Sequence, residues 1–120
     1  MKKILIADDS FFQRKILTDI VSDMGYEFDA VGSGEALLEK VNDSYDCIFL
    51  DLLMDGMSGI DVLKALKERE NKVPVVVITA DIQKARKDEC FENGATAFMN
   101  KVVSKDELIE ILNGVFNQPK

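Results

Sequence analysis

Five polar residues in this chain each close a short apolar run. Asp8 and Asp9 follow residues 4–7, Asp51 follows residues 47–50, Thr79 follows residues 75–78 and Lys101 follows residues 97–100. If those runs are parallel strands of one open sheet, their carboxyl ends share an edge, and ligands bind in the crevice there. Taken singly, an Asp after a strand reads as a turn residue or helix cap, Thr79 as a strand end and Lys101 as a solvated charge. Together they demand an explanation. Carboxylates about 4 Å apart at an effective dielectric near 20 repel by about 4 kcal/mol per pair, so three pairs cost about 12 kcal/mol. A divalent cation would relieve that repulsion. With oxygen ligands only, the choice falls on hard Mg²⁺, or Mn²⁺ in its place. A carboxylate could then serve as nucleophile toward a phosphoryl group, with Lys101 neutralising phosphoryl oxygens and Thr79 donating a hydrogen bond. Asp51 stands alone after the third run and is the best nucleophile; the adjacent Asp8 and Asp9 suit a metal-binding pair.

The elements that must position these groups are legible as periodicity. Five apolar runs alternate with five segments of helical period. The runs at 4–7, 47–50 and 75–78 are apolar on successive residues, as central parallel strands covered on both faces must be. Residues 26–31 alternate, with Glu27 and Asp29 between Tyr26, Phe28 and Ala30, and residues 97–100 are short; both suit sheet edges. The simplest arrangement is a doubly wound α/β sandwich of three layers with strand order 2-1-3-4-5. Ser10, Ser33, Ser58 and Ser104 mark four helix starts, Ser10 with Gln13 and Ser104 with Glu107 at capping-box spacing. Phe12, Ile16, Ile20 and Met24 recur every four residues beside Leu17 and Val21, predicting an apolar stripe toward the sheet. Gly25 and Gly94 suit helix ends, the latter after the apolar positions Ala85, Cys90 and Phe91.

Composition narrows the chemistry. The 120 residues make one domain, 1–120. A net charge of −7 has the wrong sign for neutralising nucleic-acid phosphates. The chain has no histidine, which removes Ser-His triads, His-ligated zinc and imidazole bases. Its two cysteines have no CxxC spacing, and no signal peptide or membrane span is evident, so a cytoplasmic setting with packed thiols is expected.

With these residues placed, the chain resembles the receiver domain of two-component response regulators, particularly the single-domain CheY-like chemotaxis type. The likeness rests on 4-Ile-Leu-Ile-Ala-Asp-Asp-9, 49-Phe-Leu-Asp-Leu-Leu-Met-54, 57-Met-Ser-Gly-59, 77-Val-Ile-Thr-Ala-80 and 94-Gly-Ala-Thr-Ala-Phe-Met-Asn-Lys-101, and covers nearly the whole chain. It implies a flavodoxin-like (βα)5 fold. It further implies Asp51 as phosphoacceptor, Asp9 as a direct Mg²⁺ ligand, Asp8 acting largely through water, and the Leu53 carbonyl as a further ligand. Lys101 and Thr79 would contact the phosphoryl group, with small Ala80 leaving it access. Thr79 and Phe98 match the family's switch pair, in which the hydroxyl moves toward the phosphoryl group and the ring turns inward. Leu53 and Asp81 match positions that tune hydrolysis. Two positions depart from the pattern: Asp55 stands where the family usually has proline, and Val102 where it usually has proline after a cis bond. A cis bond before Val102 would cost about 3 kcal/mol, so a trans peptide and a reshaped loop are expected.

The function that follows is a phosphorylation-operated signalling switch rather than an enzyme. Its partners would be a sensor histidine kinase and a downstream protein target, the latter reading the face formed by the fourth helix, fifth strand and fifth helix. Residues 117–120 are all that follow the last helix, so no effector domain is expected; a monomer is expected as well. A relay intermediate or phosphate sink is the alternative within the class. From another class, a Mg²⁺-dependent phosphohydrolase with an aspartyl phosphate intermediate needs overlapping groups, but no second Asp stands two residues after Asp51. A flavodoxin-like FMN carrier would need a hydroxyl- and glycine-rich loop where residues 8–12 offer carboxylates.

Overall fold

A computed structural model describes residues 2–117. Strands and helices alternate throughout: β1 (Lys3–Ala7), α1 (Phe11–Asp23), β2 (Glu27–Val31), α2 (Gly34–Lys40), β3 (Cys47–Leu50), α3 (Gly59–Glu68), β4 (Val75–Thr79), α4 (Lys84–Glu92), β5 (Ala97–Asn100) and α5 (Lys105–Phe116). The five strands form one parallel sheet in the order β2-β1-β3-β4-β5, as the apolar runs predicted. Strand alternation sorts the core into two layers. Leu5, Ala7, Ile48, Leu50, Val75 and Val77 face α2, α3 and α4, while Ile4, Ile6, Phe49, Val76, Ile78 and Met99 face α1 and α5. No helix among the described residues is long and apolar enough to cross a membrane.

All four serine caps form. Ser10, Ser33, Ser58 and Ser104 accept hydrogen bonds from the N–H groups of Gln13, Ala36, Asp61 and Glu107. Gly25 and Gly94 take the left-handed conformation after α1 and α4, with φ of 83° and 97°. At the carboxyl ends of the strands, Asp8 N–H donates to Val31 O of β2 and Asp51 N–H to Ala7 O of β1, so the switch point between β1 and β3 is flanked by main-chain bonds on both sides of β1.

One local expectation, the apolar stripe of α1, is corrected in part. In α1, Leu17 and Val21 are buried and Ile20 and Met24 pack beside them, but Phe12 is 70% exposed. Steps of four residues drift by about 40° each on a helix of 3.6 residues per turn, so Phe12 ends on the side opposite Val21. In α4 only Cys90 is buried; Ala85 is exposed and Phe91 nearly half so. On β2, Phe28 and Ala30 are exposed while Asp29 is partly covered, with Tyr45 donating its hydroxyl to Asp29 at 2.6 Å and Lys3 3.5 Å away.

Candidate metal and phosphoryl site

The carboxyl ends of β1, β3, β4 and β5 bring the five polar residues to one rim. Asp8, Asp9 and Asp51 each offer an oxygen within 4.8 Å of the others, with Asp8 and Asp51 buried and Asp9 exposed. Asp8 sits at the end of β1 because its N–H pairs with Val31, and Arg14 donates to its carbonyl at 2.7 Å. Asp8 Oδ1 accepts from Ser10 N–H at 2.9 Å. Asp51 Oδ1 accepts from Leu53 N–H at 3.3 Å. Lys101 bridges the two buried acids, its Nζ lying 2.8 Å from Asp8 Oδ2 and 3.3 Å from Asp51 Oδ2. Part of the repulsion that called for a divalent cation is therefore met by this ammonium.

Charge at Asp51 remains costly. Burial, reinforced by the Asp8 carboxylate, pushes its pKa above the usual 3.8, while Lys101 and the Leu53 N–H oppose the rise. Three carboxylates against one ammonium leave a surplus of negative charge on an all-oxygen donor set, and that fits a hard divalent ion.

Lys101 is anchored on its main-chain side as well, its N–H donating to Thr79 O at 2.8 Å. The peptide between Lys101 and Val102 is cis, correcting the expected trans bond. That expectation weighed the local amide preference alone, whereas the main-chain and side-chain bonds of Lys101 fix where the chain must enter the following loop. Val102 projects outward, 94% exposed.

Thr79 is fully buried and its hydroxyl accepts from Asp81 N–H at 3.2 Å. Phe98 is half-buried against the α2–α4 layer, with Lys87 Nζ 5.8 Å from its ring centre. Ala80 is exposed after β4, and Leu53 is 60% exposed in the loop after β3. Three contributors were not assigned from the sequence. Asn100 donates its amide to Thr79 O and Asp81 O, tying the β4–α4 loop to β5. Arg14 reaches Asp8 past Gly32, where a Cβ would stand 3.2 Å from its guanidinium. The main-chain N–H of Asp55 donates to Asp9 Oδ2 at 3.0 Å. Asn100 lies next to Lys101, which was a usable signal; the other two are contacts across loops that residue type does not reveal.

Comparison with known proteins bears on the same residues. The family described as response regulator receiver domain matches residues 4–113. The chemotaxis protein CheY of Thermotoga maritima is 32% identical over 116 residues, covering 95% of this chain and 97% of that one. Hybrid signal transduction histidine kinase L of Dictyostelium discoideum is 36% identical over 119 residues, but the chain spans only 7% of its length. Among solved structures, response regulator protein TrrA from Thermotoga maritima, in complex with Mg²⁺-BeF, superposes with a TM-score of 0.85 at 30% identity, covering 96% of this chain and 99% of that one. CheY4 of Vibrio cholerae gives 0.85 at 28% identity, covering 96% and 98%. The chain belongs to the response regulator receiver domain family.

Proposed function

We propose that this domain accepts a phosphoryl group on Asp51 from the phosphohistidine of a sensor kinase and thereby switches its affinity for a protein target, as a chemotaxis-type regulator. The convergence of Asp8, Asp9 and Asp51, with Lys101 bonded to two of them, carries the reading. A Mg²⁺ ion held by Asp8, Asp9, Asp51 and the Leu53 carbonyl, or Mn²⁺ in its stead, would supply neutralisation of the phosphoryl oxygens. An Asp51 oxygen attacks phosphorus, the N–P bond of the donor breaks, and the electron pair leaves on the imidazole nitrogen, which takes up a proton. Lys101 exchanges a carboxylate partner for a phosphoryl oxygen, keeping its charge paired through the transfer. Exposed Ala80 leaves the rim open to the donor. Water attacking the acyl phosphate returns the Asp51 carboxylate and releases inorganic phosphate, so the chain is a phosphoacceptor whose own chemistry is limited to uptake and slow hydrolytic loss of that group.

Incubation with Mg²⁺ and acetyl phosphate, followed by intact-mass measurement, tests the acceptance step; a parent that gains no phosphoryl group from this donor or from a kinase overturns the reading. The output step depends on Thr79. Its hydroxyl must leave Asp81 N–H to meet a phosphoryl oxygen, vacating space on the side where Phe98 packs. Thr79→Ala is expected to take up phosphate but to lose most of the phosphorylation-dependent gain in target binding, as titration of both forms would show. Leu53 bears on lifetime. An apolar side chain standing open at the crevice shields the acyl phosphate from water, so Leu53→Asn is expected to dephosphorylate several-fold faster in a radiolabel-decay assay.

A further inference from the structure

The three candidate metal ligands are not held alike. Asp8 and Asp51 are buried, and each has both of its carboxylate oxygens hydrogen-bonded within the site. Asp9 is exposed, and a side chain in solvent must give up rotational freedom when it binds an ion. Among the described residues a single hydrogen bond restrains it: the N–H of Asp55, 46 residues away in the β3–α3 loop, donates to Asp9 Oδ2 at 3.0 Å. That loop is itself pinned. Gly56 turns it with φ of 77°, and Glu35 of α2 accepts from Met57 N–H at 3.1 Å. A Cβ at Gly56 would stand 3.4 Å from the same Glu35 carboxylate. The Asp55 N–H is thus presented from a loop fixed on its far side, and it leaves Asp9 Oδ1 without a partner among the described hydrogen bonds.

We propose that Asp55 is a positioning residue acting through its main chain, its N–H orienting Asp9 so that the exposed carboxylate meets the ion already aligned. The inference rests on the metal-dependent reading above. The side chain of Asp55 is exposed to solvent, whose high dielectric weakens its charge, so the orienting contact is the main-chain N–H. The chemistry is specific to a residue with an N–H, so a proline at this position could not supply it.

The test separates the N–H from the charge. Mg²⁺ affinity of the metal-free protein is measured by calorimetry for the parent, Asp55→Asn and Asp55→Pro at one pH and ionic strength, with near-ultraviolet dichroism as a check of fold. Asp55→Asn keeps the N–H and should bind within about twofold of the parent. Asp55→Pro removes it and should bind about fivefold more weakly. Equal affinity of the Pro and Asn variants overturns the proposal while leaving the metal-dependent reading intact; a parent that binds no Mg²⁺ overturns that reading itself. Amide exchange supplies a second arm that needs no proline. The Asp55 N–H should exchange slowly in the parent, stay protected with Mg²⁺ saturating, and exchange faster in Asp9→Ala. Loss of protection on adding Mg²⁺ would make the bond a competitor of the ion and overturn the proposal.

Discussion

Asp51→Asn is expected to abolish phosphoryl uptake from acetyl phosphate and, in the absence of metal, to melt at a higher temperature than the parent at neutral pH. The first effect follows from loss of the only oxygen nucleophile assigned to the step. The second follows from the direction of the Asp51 pKa, raised chiefly by burial. A carboxyl that titrates higher in the folded state than in the unfolded state opposes folding once it ionises. That penalty is absent below the unfolded value of 3.8, grows as pH rises toward the raised folded value, and is constant above it. Asn carries no charge to desolvate. The stability gap between Asp51→Asn and parent should therefore open with rising pH in thermal melts and close in acid. Mg²⁺ should narrow or reverse it, because an ion at 100 times its Kd stabilises the parent by about 2.7 kcal/mol. A variant less stable than the parent at pH 7 without metal would contradict this account of the site's electrostatics.

Gly59→Ala should produce the largest loss of stability. Gly59 begins α3 directly beneath the end of β3, and its N–H donates to Leu52 O at 3.0 Å. A Cβ there would collide with Asp51 O, approach Leu52 Cα to 2.6 Å and Leu52 Cδ2 to 2.9 Å. The first two are backbone atoms of the segment that carries the phosphoacceptor, and backbone cannot rotate away as a flexible side chain can. Overpacking of this kind costs about 3 kcal/mol, or a fall of about 10 °C in Tm for a domain of this size. Because α3 must back away from residues 51 and 52, Mg²⁺ affinity should fall with stability. Gly114→Ala in α5 is the control: nothing lies within 4 Å of its Cβ position, and the gain in helix propensity should stabilise by about 0.8 kcal/mol. Equilibrium urea unfolding of both variants reads the contrast.

Sequence alone carried the fold a long way for identifiable reasons. Central strands buried on both faces are apolar at every position, so residues 4–7, 47–50 and 75–78 stood out, and the polar residue ending each was found by simple adjacency. Serine caps were equally plain, since their partners lie three residues on. What escaped was set by angle and by backbone. Phe12 looked like part of a stripe because spacing by four hides its cumulative drift around the helix. The alternation of residues 26–31 gave no hint that Asp29 pairs with Tyr45 and Lys3, because those partners come from elsewhere in the chain. Lys101 was assigned to phosphoryl oxygens, and only its position between Asp8 and Asp51 shows what it does beforehand. The N–H of Asp55 has no signature in residue type at all.

That lysine gives the resting molecule a tethered cation of its own. Dissolved sodium or potassium must compete with an ammonium whose local concentration is set by the chain and does not change with the buffer. Monovalent salt should consequently leave the acidic rim almost untouched, and the rim yields to a newcomer only when that newcomer carries more than one positive charge.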